Sequence, residues 1–293
     1  MNAIDLHVHS VHSDGTYTVN ELIDYAIDKK LHAIALTDHD TISGIQSAIS
    51  YAYDKPIEIV PGVELSSDYM GKDIHILGLL IDYNHPVLTH FLEEFQNNRV
   101  IRNQKMCEKL QDLNVPVFYE QLIQRFPNSV LTRGHFAKFL YEQGFSKSMK
   151  EAFEQYVGDY GKCFVPKMRI KTDEAINLIH QANGLAILAH PTLYHFNNNL
   201  LNTFIEELSL SGLDGIEGIY CTYTPSEERL IRSLAQKHNL LITGGSDFHG
   251  SNKKGLDLGT GYGSLYIPKE LLSQLKDAQK KIYFDSDYAS TIK

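Results

Sequence analysis

Cysteine is scarce in this 293-residue chain: Cys107, Cys163 and Cys221 stand far apart, and no two of them form a CxxC pair. A disulfide framework and a thiolate zinc site are therefore excluded, and reduced, mostly buried thiols are expected. Long apolar runs are missing too. No stretch reaches the roughly 18 consecutive apolar residues of a membrane span, and the opening MNAIDLHVHS lacks the basic, apolar and small-residue succession of a signal peptide. No membrane is expected as a partner, and a cytoplasmic location follows. Positive charge is in deficit, with 27 Lys and Arg against 36 Asp and Glu and a formal net charge of −9. That balance argues against a broad basic surface tracking long nucleic acid. It leaves room for a phosphorylated substrate, because bound divalent cations reverse the sign of the field inside one pocket.

With 43% hydrophobic and 22% charged residues, the composition is that of a folded enzyme. The length suits one large core, or one core with a smaller inserted piece. Short β-branched runs over 3–9, 32–37, 57–65, 74–81, 185–189, 215–219, 240–243 and 264–267 alternate with helical patterns over 19–30, 42–53, 174–182, 200–210 and 227–238. Such alternation reads as βα units, and about eight strands suit a closed or nearly closed barrel. Thr18 and Glu21 form a capping-box pair ahead of Leu22, Ile23, Ala26 and Ile27, which marks a helix start. Between 85 and 162 no strand pattern occurs, and helical patterns over 87–113, 120–125, 133–143 and 149–157 point to a helical insertion. The expected organisation is an α/β barrel built from 1–84 and 166–293, with a small helical insertion domain, 85–165, as a substrate-binding cap.

The chemistry-bearing residues fall just beyond strands. His7 and His9 of DLHVHS are two apart at the end of the first strand, so both imidazoles can point to one side and share an ion. Asp14 follows in HSDG, Asp38 and His39 in TDHD, Glu64 in PGVELS, His190 in AHP, and Asp247 with His249 in SDFH. His75 in DIHILG sits inside an apolar strand, where a hydrogen-bonded core histidine is the ordinary alternative. Strand ends converge in a barrel, so these scattered positions can meet at one mouth. One metal cluster explains all of them, whereas structural roles would need a separate reason for each. Imidazole and carboxylate ligands without thiolate suit Mn²⁺, Fe²⁺ or Zn²⁺, while a Ca²⁺ site would be almost wholly oxygen.

The motifs DLHVHSVHSDG, TDHD, PGVELS, AHP and SDFH, in that order from residue 3 to about residue 250, resemble those of the PHP (polymerase and histidinol phosphatase) family. The helical insertion after ILGLLID is similar to that of the family's nucleoside 3′,5′-bisphosphate phosphatase and 5′-to-3′ exoribonuclease branch. Asp14 stands where many relatives have His, as it does in that branch. The resemblance implies a distorted (β/α)7 barrel holding up to three divalent metal ions, with Mn²⁺ first and Fe²⁺, Zn²⁺ or Mg²⁺ as alternatives. It implies that His7, His9, Glu64 and Asp247 bind the first ion and that Asp14, His39 and His249 bind the second. Glu64 would bridge to a third held with His75 and His190. Asp5, Asp38 and Asp40 are expected to orient imidazoles, His12 to be a polar turn residue and Cys221 a small buried hydrophobe. The remaining histidines, His32, His85, His90, His180, His195 and His238, have no companion motif, so surface or core roles are favoured for them.

The chemistry that follows is hydrolysis of a nucleotide phosphoester by a metal-bound hydroxide, with Asp247 and His249 as catalytic residues and no protein nucleophile. The leaving-group acid stays open between His249 and a bound water. The resemblance places substrate binding in the insertion, where Arg99, Arg102 and Asn103 of NNRVIRNQ and Arg133 and His135 of LTRGHF are candidates; guanidinium forks suit phosphate oxygens. A solvated charged face is the bland reading of Arg99 and Arg102, and Lys162 and Lys167 are secondary candidates. Three functions remain: a phosphatase on small nucleotides, an exonuclease on short 5′-phosphorylated RNA, and a non-catalytic metal-stabilised binding module. The first is the expectation, with a small phosphorylated nucleotide or short oligonucleotide as partner and no protein partner.

Overall fold

The computed structural model describes residues 2–127, 129–166 and 169–284. The chain opens with β1 (Ala3–Val8), α1 (Val19–Asp28), β2 (Leu31–Leu36), α2 (Ile45–Ala52), β3 (Glu58–Tyr69) and β4 (Lys72–Leu79). Four helices follow without a strand: α3 (Pro86–Asp112), α4 (Tyr119–Arg125), α5 (Arg133–Glu142) and α6 (Met149–Ala152), the last running into a π-helical turn, Phe153–Val157. Alternation then resumes with β5 (Ile170–Lys171), α7 (Thr172–Gln181), β6 (Leu185–Leu188), α8 (Asn198–Leu210), β7 (Gly215–Tyr220), α9 (Pro225–Lys237), β8 (Leu241–Gly245) and α10 (Glu270–Tyr283).

The sheet runs β1-β2-β3-β4-β6-β7-β8, with the two-residue β5 paired to the outer part of β3. All neighbours on this path are parallel except around β4, which is antiparallel to both β3 and β6. The ends of the path approach each other: His9 N–H donates to Phe248 O at 2.9 Å and Asp247 N–H to His7 O at 2.9 Å. The result is a nearly closed, distorted barrel of seven strands, in keeping with the expected fold. Among the described residues no helix is long and apolar enough to cross a membrane.

Local chemistry accounts for most elements. In α1 the side chain of Thr18 accepts from Glu21 N–H while Glu21 accepts from Thr18 N–H, and Val19, Leu22, Ile23 and Ala26 are buried at helical spacing. The β3–β4 hairpin is longer than its apolar core suggests, because Met70 (φ 53°) and Gly71 (φ 79°) make a two-residue turn with both central residues at positive φ. The pairing Ser67↔Ile74 to Tyr69↔Lys72 therefore extends through polar residues that carry no strand signal. The expected strand at 264–267 is a loop: Gly261 (φ 56°) and Gly263 (φ 108°) turn the chain and Pro268 offers no N–H, so the segment keeps one backbone bond to a strand, Ile4 N–H to Ile267 O. Helix α10, which the hydrophobic pattern did not single out, buries Leu272 and Leu275.

One large core joins the strands to α1, α2, α7, α8 and α9, and a smaller one includes Ile4, Leu6, Ala33, Ala35, Leu77 and Ile187. The helices between β4 and β5 have a core of their own, with Met106, Leu110, Leu122, Phe136 and Leu140. Helix α3 belongs to both: Leu88 and Leu92 lie in the barrel core, Met106 and Leu110 in the second. Its 27 residues span about 40 Å, so one continuous helix runs from the first core into the second. Cys107 and Cys163 are buried and free, and Cys221 is half-buried and free.

Gly245, at the end of β8, is where β8 meets β1; a Cβ there would stand 2.1 Å from His7 Cβ. Neither backbone can yield without opening the barrel. Gly245→Ala should lower the free energy of unfolding in urea by about 1–3 kcal/mol, and an unchanged midpoint would contradict this packing.

Candidate metal centre

The nine expected ligand residues converge at the mouth where the parallel strands end. His7 and His9 leave β1 on one side, with ring centroids 5.1 Å apart. Glu64, 1% exposed on β3, lies at the centre. Its Oε2 is 3.3 Å from His7 Nε2, 3.2 Å from His9 Nε2 and 3.0 Å from His39 Nδ1. Its Oε1 is 2.7 Å from His75 Nδ1 and 3.2 Å from His190 Nε2. Asp247 Oδ1 faces His9 Nε2 at 3.3 Å, His249 Nδ1 at 3.2 Å and His7 Nε2 at 3.6 Å. Asp14 completes the other side, with Oδ1 3.2 Å from His249 Nε2 and Oδ2 3.9 Å from His39 Nε2.

Four sets of donor atoms each fall within 4.8 Å of one another: His9 with Asp14, His39 and His249; His7 with His9 and Asp247; His7 with Glu64 and His190; and His39 with Glu64 and His75. The grouping differs from the one implied by resemblance, for His9 also joins the Asp14 set, and His75 and His190 fall in separate sets. The donors fit divalent cations. Buried and without a hydrogen bond are His7 Nε2, His9 Nε2, His39 Nδ1, Asp14 Oδ1 and Glu64 Oε2, all among those that face one another. Burying polar atoms in that state is costly, and a cation shared between them removes the cost.

Without cations the site is electrostatically divided. Burial opposes charge on His7, yet Glu217, Glu64 and Asp247 outweigh it and raise its pKa well above the ordinary value. For His9 burial again opposes, but the carboxylates of Asp247 and Glu64, 3.3 and 3.2 Å from Nε2, lift the pKa to about 9. For His39 burial prevails over Glu64 and Asp14 and pushes the pKa down to about 3. Burial works to raise the carboxyls of Glu64, Asp14 and Asp247, but the surrounding imidazoles, joined at Asp247 by Lys253, hold all three well below the usual range.

The three aspartates expected to orient imidazoles act mainly on backbone and hydroxyls. Asp5 accepts from the N–H of Ser246 and Gly259, both at 2.9 Å, and from Ser246 Oγ. Burial raises its pKa to about 6. Asp40 accepts from Ser66 N–H at 2.8 Å and from Arg99. Asp38 holds Ser10 and Ser13, and Ser13 Oγ is 3.4 Å from His9 Nδ1, so only Asp38 reaches a ring, through an intermediary. His12 is half-buried with Nδ1 2.8 Å from Ser43 Oγ, as a turn residue would be. Three loop residues, Asp40 (φ 52°), His190 (φ 29°) and Asp247 (φ 55°), hold strained backbone beside the site.

Two clefts reach the ligands, and both touch Asp14. One, of about 260 Å³, is lined by His39 and His75 together with Arg99, Arg102 and Arg133. The second, of about 720 Å³, is bordered by His249, Lys253, Phe126 and His135. The candidate binding residues are unequally placed. Arg99 is tied to Asp40, and Arg102 is buried with Nε donating to Val165 O at 2.9 Å. Burial, with the neighbouring arginines, lowers the pKa of Arg102 to about 10. Asn103 is buried, its amide donating to Leu131 O and its oxygen accepting from Arg102, so it faces neither cleft. Arg133 pairs with Asp159 at 2.5 Å. His135 accepts from Thr132 N–H at 2.9 Å, and burial pushes its pKa down to about 4. Lys162 is exposed away from both clefts, and Lys167 lies outside the described residues.

The family model described as PHP domain matches residues 5–170. The chain belongs to the PHP family. It is 34% identical over 248 residues to the 5′-3′ exoribonuclease Rnm of Escherichia coli (strain K12), covering 84% of each chain. It is 31% identical over 260 residues to a 3′,5′-nucleoside bisphosphate phosphatase of Chromobacterium violaceum, covering 88% of this chain and 91% of that one. Its fold superposes with a TM-score of 0.81 on a Bifidobacterium adolescentis structure assigned as a metal-dependent phosphoesterase, at 25% identity over 94% of this chain and 95% of the other. This PHP protein is accordingly a metal-dependent phosphoesterase, a hydrolase of phosphate esters.

Motif reading missed several residues that touch the ligands, among them Glu217, Tyr220 and Lys253. None stands in a recognisable motif, and Glu217 has no flag beyond being an acid inside an apolar strand.

Chelation exposes the charge pattern. In the cation-free chain His9 binds its proton more tightly folded than unfolded, so that contribution to stability is complete below about pH 6.5 and is lost as pH rises through about 9. Calorimetry in a chelator should show the melting temperature falling across this window, and addition of divalent cation should reverse the fall. A melting temperature flat with pH would contradict the assignment.

Proposed function

We propose that this phosphoesterase removes phosphate from small nucleotides, nucleoside 3′,5′-bisphosphates or 5′-mononucleotides, with three divalent cations, Mn²⁺ first, held by His7, His9, Asp14, His39, Glu64, His75, His190, Asp247 and His249. The observation that carries this reading is that Arg99, Arg102 and Arg133 line the same small cleft as His39 and His75. A phosphate among the metal ligands leaves a second anionic group of the same molecule within reach of guanidinium forks. The bound cations supply Lewis acidity, lower the pKa of water and neutralise phosphoryl charge.

Around them the chain's own groups bind and orient. His249 donates from Nδ1 to Asp247 O at 2.8 Å, which fixes its tautomer and leaves Nε2 toward Asp14 at the edge of the second cleft. With Nδ1 bonded and Nε2 committed to a cation beside Asp14, His249 has no nitrogen free to protonate the leaving oxygen, so we assign that proton to a bound water, and Asp247 to holding His249 and the neighbouring imidazoles. The segment 85–165 acts as the cap that carries the arginines. The donor set far exceeds the roughly four ligands that a closed structural site needs, which favours turnover over a binding module.

A second reading, hydrolysis of short 5′-phosphorylated RNA, is favoured by space. Beyond Arg102 and Arg133 a further cleft of about 960 Å³ carries Lys72, Arg169 and Lys171. A phosphodiester chain could lie there, whereas a mononucleotide would leave it empty.

The Mn²⁺-loaded enzyme given adenosine 3′,5′-bisphosphate, AMP and a 5′-phosphorylated RNA should release free phosphate from the bisphosphate. Mononucleotide release from RNA, with no phosphate from either nucleotide, would replace the first reading by the second. His9→Ala and Asp247→Asn should each reduce kcat/KM by more than roughly 100-fold, beyond the usual cost of disturbing a residue that merely supports a ligand. Wild-type rates in either variant would refute its role. Arg133→Ala should raise KM about 10-fold with kcat little changed, the loss of one charge-assisted hydrogen bond. A fall in kcat alone would argue against substrate binding there.

A further inference from the structure

We infer that β7, which contributes none of the nine candidate ligands, is the element that orients the ligands on either side of it, with Glu217 and Tyr220 as positioning residues assisted by Lys253. The inference rests on the metal-centre reading above.

Strand order puts β7 between β6 and β8, whose following loops carry His190 on one side and Asp247 with His249 on the other. Glu217 is 1% exposed and makes two contacts. Its Oε1 lies 3.0 Å from His7 Nδ1, and its Oε2 accepts from His190 N–H at 2.7 Å. A carboxylate oxygen accepts, so in its neutral, coordinating form His7 holds its hydrogen on Nδ1 and leaves bare the Nε2 that lies nearest Glu64 and Asp247. The bond to His190 N–H pins a residue whose backbone (φ 29°, ψ 55°) is otherwise unfavourable. One side chain thus selects the tautomer of one ligand and the backbone placement of another.

Tyr220 acts on the third. Its hydroxyl donates to Asp247 Oδ2 at 2.6 Å, and Lys253 Nζ bonds the same oxygen. With Oδ2 occupied twice, Oδ1 alone faces His7, His9 and His249. Asp247 is therefore presented through one oxygen.

Residues three apart on a regular strand point to opposite faces. Glu217 and Tyr220 nevertheless both reach ligands, because the β7–β8 register shifts between Glu217 and Ile219. An irregularity of this kind re-aims the side chains beyond it. Gly218 stands at the shift, where a Cβ would meet Ile242 Cδ1 at 2.8 Å.

The test is direct Mn²⁺ binding to chelator-stripped full-length protein, followed by electron paramagnetic resonance, with thermal melting of the cation-free chain alongside. Glu217→Gln keeps the shape but sets an amide against two donors, and should weaken Mn²⁺ binding roughly 10- to 100-fold. Tyr220→Phe removes one hydrogen bond and should weaken it less, with kcat recovering at high Mn²⁺ while KM for the nucleotide stays put. Lys253→Met should behave like Tyr220→Phe. Variants that melt lower without metal yet bind Mn²⁺ as the wild type does would overturn the inference and leave a structural role. Should Glu217→Gln fail to fold, Tyr220→Phe decides: Mn²⁺ affinity within 2-fold of wild type would overturn the positioning role, and a larger loss would support it. A wild-type chain that binds no divalent cation would overturn the metal-centre reading itself and the inference with it, an outcome distinct from normal wild-type binding with unaffected variants.

Discussion

A single buried carboxylate organises this protein. Glu64 places its two oxygens against five imidazoles, three on Oε2 and two on Oε1. Such a group is tolerable in a buried position only if positive charge lies beside it. Protonated imidazoles supply that charge in part, as the raised His7 and His9 show, and cations supply it better because they leave the imidazoles neutral and coordinating. The folded state and the metal chemistry therefore answer the same electrostatic demand. A barrel of converging strand ends is well suited to meet it, since each strand delivers one or two groups to a shared centre.

The insertion adds what the barrel mouth lacks. The barrel contributes acids and imidazoles at the centre, whereas the arginines that line the adjoining cleft come from α3 and α5. Arg99 does more than line a cleft. Its bond to Asp40 crosses from α3 to the loop that bears His39, and Asp40 also holds Ser66, two residues from Glu64. Insertion and candidate metal centre are thus joined by an ion pair that is buried at Asp40 and partly buried at Arg99. Burial makes such a pair sensitive to loss of either partner. The position of the insertion is consequently tied to the geometry of the site beside it.

Much of this was legible in the chain itself. The alternation of β and α segments, the strandless stretch between them and the Thr18–Glu21 cap are local signals, and they are found where local physics puts them. The hairpin arm Ser66–Asp73 was not legible, because its strands pair through backbone bonds and a turn rather than through an apolar pattern. The segment 264–267 misled for the opposite reason: it has strand-like residues, but two glycine turns and Pro268 limit it to a single backbone bond with β1. Asn103 looked like a substrate contact from its neighbours in sequence, yet the helix turns it into the insertion's interior.

What the residues determined alone was the inventory: imidazoles and carboxylates without thiolates, set just after strands, which limits the ions and the class of chemistry. The side chains carry that information whatever their surroundings. Tertiary structure alone decided how the donors group, why His9 serves two sets, and why Glu217, Tyr220 and Lys253 belong to the site. Those facts depend on register, on a shift within β7 and on backbone held at positive φ. All of these arise from packing between segments far apart in the chain, and no local pattern encodes them.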